Sequence, residues 1–383
     1  MHERLAVDAH PSAATVAVAS SGSLRVLHNG SPPLTDLVAA DGTPWLEFRK
    51  TLVPDYAKAW REIAFTYLMV FAGYAAHIAL SVRWLRAQSN APVAATSLGV
   101  GVRALLHPGP GLVLSLLAAP LATLWIGFWL HAVNQFAHDG SHGNLLADRK
   151  RNDMLSDWLL WPLFAQSVRS YRKSHMQHHT HLGDHLDTEI NYHECMNPWF
   201  FFKALTGIQL TLMLVRYLVK PKTLTPAIAE TGNNAFASDQ EKMLVLARAM
   251  VLHGTLIAVP LAFGLYGSAL AWLLAVAVVY PSIGTARQIL EHRASDAVCA
   301  IDFAQVVHGP VNRLFGDDLF SRWFGAAGLN RHMLHHWDPG ISYTRLPDME
   351  AFVLRTPYAR WIHANRTTYA RATVTMVRTA LRG

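Results

Sequence analysis

Charge is scarce in this chain. Of 383 residues only 15% are Asp, Glu, Lys or Arg, against about 25% in soluble domains. Hydrophobic residues reach 51% and the mean hydropathy is positive. The length would suit two or three soluble domains, but such domains would carry more charge. Cysteine is scarcer still, with Cys195 and Cys299 the only two. Both fall in segments expected on the cytoplasmic side. No disulfide framework is therefore expected, nor a fused iron–sulfur or rubredoxin-type module. Residues 1–40 lack a basic stretch followed by an apolar one, so no secretory signal is expected. That segment mixes Ala, Ser, Gly and Pro and is expected to be partly disordered. There is no long low-complexity tract. The net charge of +7 is spread along the chain without an aromatic–basic module, so no nucleic-acid partner is expected.

The apolar residues that are present are bunched. Residues 63–82 and 111–133 are each long enough to cross a hydrocarbon core, which takes about 20 residues. Residues 249–263 and 268–280 are shorter and flank a Gly-Leu-Tyr-Gly turn. They read as a tight helical hairpin with Arg248 placed to snorkel. Of 33 Lys and Arg, 6 lie in residues 1–62, 11 in 134–243 and 12 in 286–383. By the positive-inside rule all three regions are cytoplasmic if there are four crossings. Residues 199–219 are interrupted by Lys203, Gln209 and Arg216 and are read as an interfacial helix.

Histidine is abundant, at 21 residues, and it is clustered. His-x-x-His-His occurs at His175, His178, His179 and again at His332, His335, His336. HDGSH supplies His138 and His142 upstream. One chance HxxHH is expected roughly 0.06 times in such a composition, so two copies are a signal. Helical spacing of i, i+3, i+4 turns imidazoles toward one face, which is poor core and good metal ligation. Eight clustered histidines exceed one tetrahedral zinc and suit two metal ions. They must share one side of the membrane, which an even number of crossings between them provides. Asp187 and Glu189 follow the second cluster and are expected to accept hydrogen bonds from metal-bound imidazoles. His181 and His185 read as surface neighbours, and His131 and His253 as packed histidines within apolar runs. His308 is left open. Trp158, Trp161, Trp199 and Trp272 read as interface anchors or packing. Pro339-Gly340 should end the helix of the third cluster. Imidazole alone does not choose among Zn, Cu, Fe and Ni. Uncompensated cations beside an apolar slab suit O₂ chemistry, which favours iron over redox-silent zinc.

HDGSH, HMQHH and HMLHH, in this order around membrane hairpins, resemble the histidine boxes of the membrane fatty acid desaturase superfamily. HGNLLADRKRND and WDPGISYTRLPDME resemble bacterial members, and the likeness covers about residues 50–350. The resemblance implies an all-α integral membrane fold: four transmembrane helices in two hairpins and a cytoplasmic helical cap carrying a dinuclear site. It implies two iron ions, O₂ as co-substrate, and desaturation of an unactivated alkyl or acyl chain. Related branches hydroxylate or oxidise lipids, alkanes, carotenoids or small metabolites. Many acyl-lipid desaturases open the third box with Gln; His332 here is shared with hydroxylases and ketolases. In the superfamily a histidine near the last membrane helix joins the box ligands, and Glu291-His292 matches that position. The HPGPG at residues 107–111 resembles a cytochrome b5 haem motif only superficially, because its loop has no room for that domain. The electron donor is therefore expected to be separate, of ferredoxin, rubredoxin or cytochrome b5 type.

The implied metal ligands are His138, His142, His175, His178, His179, His292, His332, His335 and His336. The expected organisation is a cytoplasmic N-terminal segment (1–62), a membrane domain (63–350) and a basic C-terminal cytoplasmic tail (351–383), in a cell inner membrane. Two other classes compete. HDGSH has the spacing of a zinc-protease HExxH with Asp139 for Glu, but a membrane zinc metalloprotease leaves six box histidines idle. A metal transporter would place its histidines within the apolar runs, whereas these lie outside them.

Overall fold

The apolar runs become long helices in a computed structural model that describes residues 27, 30–88, 109–209, 212, 238–303 and 306–381. Helix α1 (Trp45–Thr51) lies ahead of the first long helix, α2 (Tyr56–Gln88). Helix α3 (Pro110–His142) starts on a proline, which suits a first turn whose N–H groups have no helical partner. It ends on Gly143 in the left-handed conformation (φ 87°), where a glycine carries no Cβ penalty. Then come α4 (Arg149–Leu159), α5 (Val168–His181) and α6 (Pro198–Leu205). Helix α7 (Asp239–Ala262) turns through Gly264 into α8 (Tyr266–Leu274). A π-turn at Ala275–Val279 joins α8 to α9 (Tyr280–His292) without a break. The last five helices are short: α10 (Leu319–Phe324), α11 (His332–Trp337), α12 (Leu346–Val353), α13 (Ala359–Ala364) and α14 (Tyr369–Ala380). Among the described residues there are no strands, only two isolated bridges.

Among the described residues four helices are long and apolar enough to cross a membrane: Tyr56–Ala87, Pro110–His142, Gln240–Ala262 and Tyr266–His292. The protein is an all-α integral membrane protein. Its outward surface at Leu68, Leu117, Leu121, Met250 and Val251 is apolar and more than 60% exposed, as a lipid-facing surface should be. Small residues let the hairpins meet. Ser115, Ala119 and Thr123 of α3 face Gly267 and Ala271 of α8, and Thr123 bonds the Ala271 carbonyl at 3.3 Å. A side chain at Gly127 would land on Val279. Buried polar groups are satisfied between helices: His77 on α2 bonds Ser268 Oγ at 2.8 Å and the Ser115 carbonyl at 3.1 Å.

The short helices build a cap at one end of the bundle. Arg49 pairs with Asp338 at 2.5 Å, Tyr343 donates to Glu62 at 2.6 Å, and Thr344 Oγ1 accepts from the Asp55 N–H at 3.0 Å. These bonds tie α1 and the start of α2 to the loop after the third histidine box. Residues 359–380 also fold onto the cap, with Tyr369 stacked on Phe315 at 3.8 Å.

Several sequence expectations meet the structure here. Arg248, expected to snorkel, lies over the Trp158 ring at 3.9 Å in a cation–π pair. Trp161 and Trp272 are fully buried packing residues, whereas Trp158 and Trp199 are exposed. Of the proposed interfacial stretch 199–219, residues 199–205 are helical, and most of the remainder lies outside the described residues. Residues 1–26, Arg103 and the His107-Pro108 part of HPGPG also lie outside them.

One expectation is overturned. Cys195 and Cys299, read as unbonded, form a disulfide with Cα atoms 4.6 Å apart. The pair is separated by 104 residues, so no spacing in the sequence marks it. Tertiary structure brings the segments together: the Arg293 guanidinium donates to the carbonyls of Tyr192 and Glu194, both at 2.7 Å.

Candidate metal centre

Each histidine cluster occupies a helix end at the cap. His138 and His142 form the last turn of α3, His175, His178 and His179 lie on α5, and His332, His335 and His336 are on α11. Helix α5 is pinned at its start by a Ser167/Ser170 capping box, which sets the rotation of its histidine face. Helix α11 ends at Trp337, just before Pro339-Gly340. His292 is the final residue of α9, and the neighbouring Arg313 satisfies that helix's end by donating to the carbonyls of Leu290 (3.0 Å) and Arg293 (2.6 Å).

The nine imidazoles sort into two groups. His138, His142, His175, His179 and His335 form one; His178, His292, His332 and His336 form the other. Within each group one nitrogen from every ring lies within 4.8 Å of those of the others. The partition explains the HxxHH pattern. Residues i and i+4 share a helix face, so His175 with His179, and His332 with His336, each serve one group. The i+3 histidine leans to the other side, so His178 and His335 cross over. The two boxes thus interlock, and the groups share a wall where His179 and His336 approach to 4.3 Å between ring centroids.

Nitrogen atoms converge within each group. His175 Nε2 lies 2.6 Å from His138 Nε2 and 2.9 Å from His179 Nε2. His332 Nε2 lies 2.8 Å from His292 Nε2 and 3.0 Å from His336 Nε2. The Nε2 atoms of His142, His178 and His335 are buried with no hydrogen-bond partner. A buried polar atom left so is costly unless something else binds it. At about 2.1 Å from one ion, two nitrogens at right angles would be about 3.0 Å apart and two on opposite sides about 4.2 Å, so each group suits one ion once its closest nitrogens part slightly and its farthest draw in. Only His142 is half-buried; the other eight are buried.

The backs of the rings are held. His178 Nδ1 meets Asp187 Oδ1 at 2.8 Å and His175 Nδ1 meets Glu189 Oε1 at 3.1 Å. His292 Nδ1–H donates to the Val311 carbonyl at 2.9 Å. Asp187 is itself fixed by the Glu189 N–H (2.8 Å) and the Tyr192 hydroxyl. The turn that delivers it needs Gly183 (φ 79°), where a Cβ would strike the Gly309 carbonyl. Burial alone would push His178 down, but Glu189 and Asp187 outweigh it and hold it up at about 9. Burial would raise both carboxylates, yet His178 and His175 keep them below their ordinary values. Burial and neighbouring imidazoles drive His179, His332, His335 and His336 well below the ordinary histidine range, which leaves neutral rings able to bind a cation.

Other histidines stay out of the groups. His181 pairs with Asp184 at 3.1 Å and His185 is exposed. His131 packs beside Gln135, and His253 accepts from Trp272 Nε1 at 3.1 Å. His308, left open by the sequence, accepts the Ala294 N–H at 3.0 Å. Asp139 lies in neither group and accepts instead from Asn144 at 2.9 Å, a residue that also reaches the Pro339 carbonyl. Through Asn144 it ties the first box to the segment after the third. Sequence reasoning missed the Arg287–Glu291 ion pair, which is buried beside the four-histidine group with Glu291 Oε2 3.6 Å from His332 Nε2. The signal was available in ARQILEH: an i, i+4 cation–anion pair immediately ahead of His292.

Compared with models of known families, the chain matches fatty acid desaturase over residues 114–367, which span all nine histidines. No curated protein matches it.

Proposed function

Because the chain belongs to the fatty acid desaturase family, we propose that it is an O₂-dependent di-iron oxidoreductase that desaturates an unactivated alkyl or acyl chain of a fatty acid or lipid. The observation that carries this reading is the division of nine imidazoles, eight of them buried, into adjacent groups of five and four. Two iron ions held there would supply the reduction of O₂ by two electrons and two protons, removing two hydrogens from the alkyl chain and releasing two waters. The ligands are His138, His142, His175, His179 and His335 for one ion, and His178, His292, His332 and His336 for the other. Asp187 and Glu189 fix the tautomer of His178 and His175 by accepting at Nδ1, so that Nε2 points inward as a base. Burial of the rings excludes water from the reaction. His332 at the head of the third box favours hydroxylation or ketolation of a lipid, alkane, carotenoid or small metabolite as the second reading. A separate one-electron carrier of ferredoxin, rubredoxin or cytochrome b5 type supplies the reducing equivalents.

Purified protein should carry about two iron ions per chain, measured by elemental analysis; one zinc would point to hydrolysis instead. Lipid and metabolite extracts from cells with and without the gene, compared by mass spectrometry, identify the product as alkene or alcohol. Asp187→Asn should weaken iron binding or turnover by about 10–100-fold while leaving the fold intact. An unchanged iron content and rate would remove Asp187 from the site.

The cap faces the cytoplasm of the inner membrane in this reading, because residues 1–62, 134–243 and 286–383 hold most of the basic residues. Those boundaries also set the organisation: N-terminal segment 1–62, membrane domain 63–350 and C-terminal tail 351–383. Cysteine-labelling reporters near Lys222 and near Asp348, in a background lacking the native cysteines, should share one side. A reporter between Arg86 and Arg103 should fall on the other. Labelling of Lys222 from the opposite side to Asp348 would mean that residues 199–219 cross.

A further inference from the structure

The disulfide lies among the segments that support the histidine groups. Cys195 follows the stretch that delivers Asp187 and Glu189, and Cys299 sits in the loop that follows His292. The same two segments are knitted by one side chain. Arg293, almost fully buried, donates through Nη1 to the carbonyls of Tyr192 and Glu194 and through Nη2 to that of Ala297 at 3.0 Å. Tyr192 in turn donates its hydroxyl to Asp187, which accepts at 2.8 Å from His178. A continuous path thus runs from the sulfurs to an imidazole of the four-histidine group. Neither cysteine is sealed in the core; both are half-buried.

We propose that Cys195–Cys299 is a reversible thiol–disulfide strap that sets how firmly the carboxylate-bearing segment 187–194 is held against the histidines. Only its consequence for metal retention rests on the di-iron reading. A dithiol reductant, small or protein-borne, opens it. One thiolate attacks a sulfur of the pair and forms a mixed disulfide, and the second thiolate resolves it. Two electrons and two protons pass to the cysteines, and the reductant leaves as its own disulfide. With the strap open, no covalent link joins the segments, which are then held only by the Arg293 bonds, by Gln288 bonded to Asn191 (2.5 Å) and Glu189 (2.9 Å), and by Tyr192 and His193 packed on His308. Local opening then becomes more frequent, because the crosslink no longer limits the separation of the two chains. Asp187 and Glu189 leave their imidazoles more often and the site holds metal less firmly. A cap on the cytoplasmic side would meet thiol-reducing conditions, so the strap would close only when that compartment turns oxidising.

The test uses the full-length iron-loaded protein in detergent, equilibrated in buffers of reduced and oxidised dithiothreitol. Alkylation followed by mass spectrometry should find two free thiols in the reduced buffer and none in the oxidised one. Amide hydrogen exchange across residues 184–199 should be about 10-fold faster in the reduced protein, as should iron loss to a chelator, the low end of what losing such partners costs. Cys195→Ser/Cys299→Ser should match the reduced protein in both buffers, and Cys299→Ala alone should do the same if the double variant is poorly folded. Thiols that stay free in every buffer, a disulfide that no dithiol opens, or equal exchange in the two states would each overturn the strap. Protein that binds no iron at all would sink the di-iron reading, and hydrogen exchange would still decide this one.

Discussion

His178→Ala and His335→Ala should each abolish turnover and lower the iron content of the purified protein. These are the two imidazoles that cross between the interlocked boxes, so each loss is felt at the shared wall of the two groups. His178 is fully buried and its Nδ1 meets Asp187 at 2.8 Å. Truncation there removes a nitrogen from the four-histidine group and also strands the Asp187 carboxylate in the protein interior, which is strongly unfavourable. His335 has a buried Nε2 without a partner and no carboxylate behind it, so its loss is the simpler removal of a donor. Both effects should exceed the roughly 10–100-fold expected for outer partners such as Asp187. Elemental analysis beside circular dichroism checks the point: iron should drop while helicity stays unchanged, because the membrane helices pack through contacts far from the cap. Full activity in either variant would refute the assignment of these rings.

Much of the fold was legible because its signals are local. Two apolar runs of membrane length, and a shorter pair flanking a Gly-Leu-Tyr-Gly turn, located the four long helices, and helical spacing located the faces that carry the boxes. The small-residue contact between α3 and α8 was less visible, since Ser, Ala and Gly mark a close approach only once the partner helix is known. The disulfide was not legible at all. Its two cysteines are separated by a membrane hairpin, and what joins them is Arg293, a residue that looks like an ordinary interfacial cation in sequence. The partition of histidines into five and four was also hidden. The HxxHH pattern says that three rings leave one helix together; which ring crosses over depends on how α5 and α11 are rotated against each other. The pairing of Arg287 with Glu291 escaped notice for a similar reason: an i, i+4 pair on a helix is usually solvated, and only tertiary burial beside His332 makes this one part of the site.

His292→Ala should deplete iron selectively, from about two ions per chain toward one, while the protein still inserts and folds. The four-histidine group has no spare ring. Without His292 it keeps His178, His332 and His336, whereas the five-histidine group loses nothing. His292 Nε2 lies 2.8 Å from His332 Nε2, and its Nδ1–H is committed to the Val311 carbonyl, so the free lone pair points toward its neighbours. The ring is 1% exposed, which removes the reading of an ordinary surface histidine at the end of a membrane helix. A packing role remains the competing account, and the two differ in what they predict. If His292 only fills space, a substitution that keeps volume and a hydrogen-bond donor, His292→Gln, should restore the iron content as well as the stability. If it is a ligand, His292→Gln should restore stability but not the second ion, because an amide is a far weaker donor to iron than a neutral imidazole. Iron per chain and thermal unfolding, measured together on both variants, separate the accounts. Two ions retained in His292→Ala, with stability within about 0.5 kcal/mol of the parent, would show that this residue does no more than an ordinary exposed site does.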